Sequence, residues 1–142
     1  MTGERLLQVQ DLTVRYQTQM GEIHAVSGVT FFVNKNEVFG IAGESGCGKS
    51  TLIRALMRLL PDNAKMSAQS IEYEGEELTR LSEAKFREKI LWARMSLVPQ
   101  SAMNSLNPVY RVGDQVVEAI QAHKNVSKSE ARERVTELFD IV

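Results

Sequence analysis

Gly43-Glu44-Ser45-Gly46-Cys47-Gly48-Lys49-Ser50, followed by Thr51, is the stretch that decides how this chain reads. The octet fits G-x-x-x-x-G-K-[ST], and each fixed position has a physical task. The glycines let the backbone turn tightly, so successive amides face inward as a nest for an anion. The loop feeds a helix N-terminus, where free amides and the helix dipole also favour phosphate. Lys49 brings a full positive charge to the β- and γ-phosphates of a nucleotide, and Ser50 offers a hydroxyl to Mg²⁺. The flanks supply the setting this chemistry needs. Residues 38–42 (VFGIA) are a short apolar run, expected as a strand buried on both faces. Beyond the loop a helix is expected from near Lys49, with Leu52, Ile53, Leu56, Met57 and Leu60 on one stripe and Pro61 as its stop. Burying five such side chains at ~1.5–3 kcal/mol each holds down a helix that is marginal alone.

Upstream, residues 6–16 (LLQVQDLTVRY) alternate apolar and polar and predict a strand. The phase slips at Gln10-Asp11, which predicts two short strands or a bulge. A turn containing Gly21 leads to a second strand over 23–33, with Val29, Phe31 and Val33 on one face; the two runs pair as an antiparallel hairpin. Residues 34–37 (NKNE) make the next turn, with Asn36 left-handed. Downstream, a strand is expected at Ile71–Tyr73, a turn at Gly75, and a helix capped by Ser82. Residues 94–99 (RMSLVP) read as another strand, and Asn104, Asn107 and Pro108 as turn formers. Two helices follow. The first covers 113–124 with Val116, Val117 and Ile120 on one face. The second opens on the capping box Ser127-Lys128-Ser129-Glu130 and carries Ala131, Val135, Leu138, Phe139 and Val142 on its apolar side.

Composition narrows the classes. The chain has 142 residues, 43% hydrophobic and 25% charged, the balance of one soluble globular domain rather than a disordered or membrane-spanning chain. Lys plus Arg total 17 against 18 for Asp plus Glu, which leaves no basic excess for nucleic-acid binding. One cysteine, Cys47, excludes an intrachain disulfide framework and an all-cysteine metal site. The start, Met1-Thr2-Gly3-Glu4-Arg5, leads into no apolar core of signal-peptide length, and no run nears the ~18 apolar residues of a membrane span. A cytoplasmic chain is expected. Other glycine readings fail, since Gly46-x-Gly48 meets Thr51 where a dinucleotide fingerprint needs its third glycine. Asn34-Lys35-Asn36-Glu37 is similar to a guanine-reading motif, but it ends in Glu, precedes the phosphate loop, and reads as a hairpin turn.

GESGCGKST at 43–51 resembles the Walker A loop of the ATP-binding subunits of ABC transporters, and the resemblance runs along essentially the whole chain. Residues 97–117 (LVPQSAMNSLNPVYRVGDQVV) and ALMRLLP at 55–61 resemble the dipeptide/oligopeptide importer branch. The resemblance implies an α/β P-loop core with an antiparallel β-subdomain and the start of a helical subdomain. It implies nucleotide contacts by Gly43, Glu44, Ser45, Gly46, Cys47, Gly48, Lys49, Ser50 and Thr51, with Tyr16 stacked on adenine. Gln100 matches the Q-loop glutamine, which reaches Mg²⁺ and the attacking water; Lys49 and Gln100 are thus the catalytic candidates, and Ser50 and Gln100 the Mg²⁺ ligands. Cys47 sits at a variable loop position and carries no nucleophile role.

The departures are equally informative. Asn36 replaces a usual glycine, and Ser101 stands where many relatives carry an acidic residue. No LSGGQ signature occurs, nor a Walker B run of four apolar residues before Asp-Glu; Phe139-Asp140 is the nearest and lies on a helical stripe. His24 and His123 read as surface residues. The expectation is therefore the N-terminal part of a longer ATPase subunit: β-subdomain over about 1–36, Walker A to Q-loop core over 37–100, and the start of the helical subdomain over 101–142. The last helix, running into Val142 with an apolar face and no stop signal, reads the same way. The implied parent imports a solute, expected to be peptide, with ATP and Mg²⁺. Its partners would be transmembrane permease subunits and a second ATP-binding subunit, and its place the cytoplasmic face of the membrane, reached only through those partners. The alternatives are a non-catalytic nucleotide-binding or regulatory module, and a P-loop kinase or GTPase.

Overall fold

A computed structural model describes residues 4–100 and 105–142. Ser101 and Asn104 lie outside the described residues. The chain forms two compact units, one ending at Arg87 and the other beginning at Glu88.

The first unit is built on β1 (Arg5–Thr18) and β2 (Gly21–Asn34), paired antiparallel along their length. On its other side β1 pairs with β3 (Ala64–Ser67) beside Thr13–Tyr16 and with β4 (Ser70–Tyr73) beside Leu7–Gln10. A short β5 (Glu76–Glu77) completes a five-stranded antiparallel sheet. Glu74 and Gly75 are both left-handed (φ 49° and 79°), the geometry of a two-residue hairpin turn. Together with the helices this makes the expected α/β fold.

The phase slip at Gln10-Asp11 is a bulge. Asp11 adopts φ 52° and the register with β2 shifts between Val9 and Leu12. One inserted residue moves every later side chain to the opposite face. As a result Val9, Leu12 and Val14 are all fully buried on one side of β1, and Tyr16 follows them there. The core is closed by α1 (Lys49–Leu56), through Leu52, Ala55 and Leu56, and by Ile71, Tyr73, Leu78 and Phe86.

Three expectations are corrected. Residues 38–42 form no strand: none of the five strands pairs with them, and Val38, Phe39 and Ile41 are exposed. An apolar run becomes a strand only when a neighbour supplies the ladder. Phe39 instead stacks on Phe31 with ring centroids 5.3 Å apart. Residues 94–99 likewise form no strand; Met95 makes a single bridge with Leu91. Finally, α1 stops at Leu56, ahead of Leu60 and Pro61, because Arg58 turns left-handed at φ 52°. The Arg58 and Leu59 amides then bond back to the Ala55 and Arg54 carbonyls at 3.1 and 2.8 Å, closing the helix as a glycine normally does.

After a 3-10 turn at Leu78–Arg80, α2 (Glu83–Lys89) begins behind Ser82, whose hydroxyl accepts from the Lys85 amide at 3.4 Å. In the second unit α3 (Val112–His123) packs on α4 (Lys128–Ile141) through Val117, Ala131 and Val135. Val116 and Ile120 flank that contact, whereas Phe139 and Val142 stay exposed.

The predicted capping box is present: the Ser127 amide donates to Glu130 Oε2 at 2.8 Å and the Glu130 amide to Ser127 Oγ at 3.3 Å. The Ser127 hydroxyl and backbone amide hold the Glu130 carboxyl below the usual glutamate range. Because folding lowers this pKa, ionised Glu130 stabilises the helix start at neutral pH. That contribution is lost as pH falls from about 4.3 through the lowered folded value. Protection factors of the first-turn amides of α4, taken relative to the intrinsic exchange rate at each pH, should fall over that window, and Ser127→Ala should flatten the dependence. Protection that does not change with pH in the unsubstituted chain would refute the box in solution.

Candidate functional site

The phosphate loop leaves β2 by way of 38–42 and enters α1 at Gly48, which caps the helix with φ 95°. No side chain caps α1 and no acid stands in its first turn, so nothing competes with an anion there. Gly48 is required twice over. Its conformation is left-handed, and a Cβ would stand 2.2 Å from the Ala25 carbonyl oxygen of β2. Ala25 is therefore part of the loop's seat. No sequence motif marks it, and only strand pairing could have pointed to it.

Lys49 folds back along the loop. Its ammonium donates to the carbonyls of Gly43 and Glu44, both at 2.7 Å, and lies 3.5 Å from Cys47 Sγ. A cation is thus held at the loop mouth by two neutral acceptors, which an entering phosphate oxygen can outbid because its charge strengthens the hydrogen bond. Cys47 is an exposed free thiol. Glu44, Ser45, Gly46 and Ser50 are exposed and Thr51 is half-buried. The Ser50 hydroxyl, one helical residue past Lys49, is an oxygen donor of the kind Mg²⁺ takes alongside phosphate oxygens and water. The described residues contain no cluster of three His, Cys, Asp or Glu side chains able to hold a metal. One hydroxyl beside a phosphate site fits a Mg²⁺ that arrives with its nucleotide, not one caged by protein.

Tyr16 reaches this loop. Its hydroxyl lies 3.3 Å from Thr51 Oγ1 in the first turn of α1, an outcome of the β1 bulge. Gln100 belongs to the second unit, exposed in a turn. His24 is exposed, 3.5 Å from Glu22, and His123 is exposed in the last turn of α3, as expected. Among the described carboxylates whose pKa is lowered, Glu130 caps α4. Glu77 caps the 3-10 turn, where burial pushes its pKa up but the Thr79 hydroxyl and the Ile71 and Thr79 amides outweigh it. Both are structural. None of the described helices is long and apolar enough to cross a membrane.

The chain is 42% identical over 140 residues to the dipeptide transport ATP-binding protein DppD of Bacillus subtilis (strain 168), covering 98% of this chain and 42% of that protein. It is 38% identical over 139 residues to the oligopeptide transport ATP-binding protein OppD of the same organism, covering 97% and 38%. With OppD of Escherichia coli (strain K12) it shares 40% identity over 140 residues, covering 99% and 41%. The chain thus spans about two fifths of the length of the curated relatives it matches. Residues 26–140 match the ABC transporter family profile, which sets aside the kinase and GTPase alternatives. By that match, most of its length, the chain belongs to the ABC transporter family.

Proposed function

We propose that the chain binds Mg-ATP, and that in a longer parent subunit it hydrolyses ATP to drive peptide import through membrane permease partners. One observation carries the binding: a G-x-x-x-x-G-K-S loop entering an uncapped helix, with the Lys49 ammonium gathered at its mouth. The loop amides and Lys49 hold the β- and γ-phosphates, and Gly43, Glu44, Ser45, Gly46, Cys47 and Gly48 contribute chiefly backbone. Thr51 lies one step further along the helix, toward the nucleoside. Tyr16 stacks on adenine from the β1 side. Ser50 would offer its hydroxyl to Mg²⁺, which would supply charge neutralisation to the phosphates, and Gln100 is carried over as a Mg²⁺ ligand from the family resemblance. Gln100 also orients the attacking water and senses the permease. Peptide as cargo rests on the relatives, which are dipeptide and oligopeptide transport ATP-binding proteins. Pairing with a second ATP-binding subunit at the cytoplasmic membrane face belongs to the same reading.

For these 142 residues alone the reading is binding without turnover. Phosphoryl transfer needs an acid that holds Mg²⁺ and a group that positions water. The sequence has no Walker B run and no signature loop, and a pair of identical copies lacks the same parts. Phosphate release by the purified chain should equal that of its Lys49→Ala variant. Turnover at ordinary enzyme rates that depends on Lys49 would mean a catalytic acid lies among these residues.

A further inference from the structure

We propose that Ile23 is the second half of the base platform and sets a preference for purine over pyrimidine nucleotides. This rests on the nucleotide-site reading above. Tyr16 pairs directly with Ile23 across β1 and β2, with no register shift between there and the hairpin turn. Directly paired residues share a face, with Cβ atoms about 5 Å apart. The face is fixed by the Tyr16 hydroxyl, which lies 3.3 Å from Thr51 Oγ1 beside the phosphate loop. Tyr16 is half-buried, while Ile23 remains 56% exposed, an isoleucine left in water at the open side of the tyrosine. On the other side Tyr16 pairs with Ala64, which offers only a methyl group.

The polar groups of this hairpin are turned elsewhere. Arg15, Gln17 and His24 sit on the opposite face and all converge on Glu22, at 3.2, 2.8 and 3.5 Å. Thr18, on the Tyr16 face, spends its hydroxyl on the Gly21 carbonyl at 2.7 Å. What remains beside the loop is an apolar strip two side chains wide. A single-ring base covers Tyr16 alone, whereas a fused two-ring base extends from Tyr16 onto Ile23. The second ring gains its contact there by dispersion and loss of apolar surface to water, with no edge to read.

Titration of the whole chain with Mg-ATP, Mg-CTP and tripolyphosphate tests this. Ile23→Ser should weaken ATP about five-fold, leave tripolyphosphate unchanged, and bring ATP and CTP closer together, while Ile23→Leu retains the unsubstituted values. Tyr16→Ala should weaken both nucleotides, ATP about ten-fold. His24→Ser, on the far face, should change nothing. Equal loss of ATP and tripolyphosphate in Ile23→Ser, or an unchanged ATP-to-CTP ratio, overturns the platform while leaving the phosphate site standing. ATP binding that is absent, or insensitive to Lys49→Ala, overturns the nucleotide reading itself and the platform with it.

Discussion

Replacing Lys49 with alanine is expected to lower Mg-ATP affinity by about two to three orders of magnitude while leaving the thermal midpoint nearly unchanged. The two readouts separate because the side chain does different things in each state. In the free chain its ammonium rests on the Gly43 and Glu44 carbonyls at an exposed loop, where water replaces it at little cost. With phosphate bound, it meets two oxygens carrying full charge. Hydrogen bonds to charged groups contribute ~1.5–3 kcal/mol each; at an exposed loop the lower part of that range applies, so losing two costs about 3–4 kcal/mol, or roughly 100- to 1000-fold in affinity. Calorimetric titration beside a melting curve reads both quantities. A fall in affinity below about ten-fold would remove Lys49 from the phosphate site. A large fall in melting temperature would show that the lysine serves the loop's own fold.

Much of this arrangement was legible in residue patterns because local chemistry dictates it. The slip at Gln10-Asp11 announces the bulge, since alternation must change parity where a residue is inserted, and that bulge places Tyr16 on the loop side of the sheet. Ser127 and Glu130 announce α4, because the box needs only three residues' spacing. The loop glycines announce its geometry for the same reason. What failed to read is what depends on a partner. Residues 38–42 carry the composition of a buried strand, yet a strand exists only with a neighbour, and no strand of the sheet pairs with them. Residues 94–99 fail likewise. The four-residue β3 was missed because Ala64–Ser67 has neither length nor strong alternation; it exists because Thr13–Tyr16 offers a free edge beyond the bulge. The helix end at Arg58 was invisible for a third reason: a glycine would normally mark it, and the stop is instead supported from elements twenty residues away.

That support makes Arg58 the position where the largest loss of stability is expected. Its guanidinium donates to the Leu78 carbonyl at 2.6 Å and the Leu81 carbonyl at 3.0 Å, approaches Glu83 at 3.3 Å, and lies 4.4 Å above the Phe86 ring. The side chain is only 19% exposed, so these bonds are poorly replaced by water. They tie the end of α1 to the 3-10 turn and α2, and hold Arg58 in a left-handed conformation worth ~1–2 kcal/mol of strain to any residue with a Cβ. Arg58→Ala keeps that strain and deletes the clamp: the Leu78 carbonyl is left with the Leu81 amide alone, the Leu81 carbonyl loses its guanidinium donor, and Phe86 is uncovered. The expected cost is about 3 kcal/mol, or roughly 10 °C in melting temperature for a chain of this size. Arg58→Gly deletes the same contacts but relieves the backbone, and should be more stable than the alanine variant by about 1 kcal/mol. Denaturant unfolding of the three chains, with equal slopes, measures both differences. Alanine and glycine variants of equal stability would mean the left-handed helix end does not persist in solution. An alanine variant within about 0.5 kcal/mol of the original would mean the guanidinium contacts contribute little beyond the surface background.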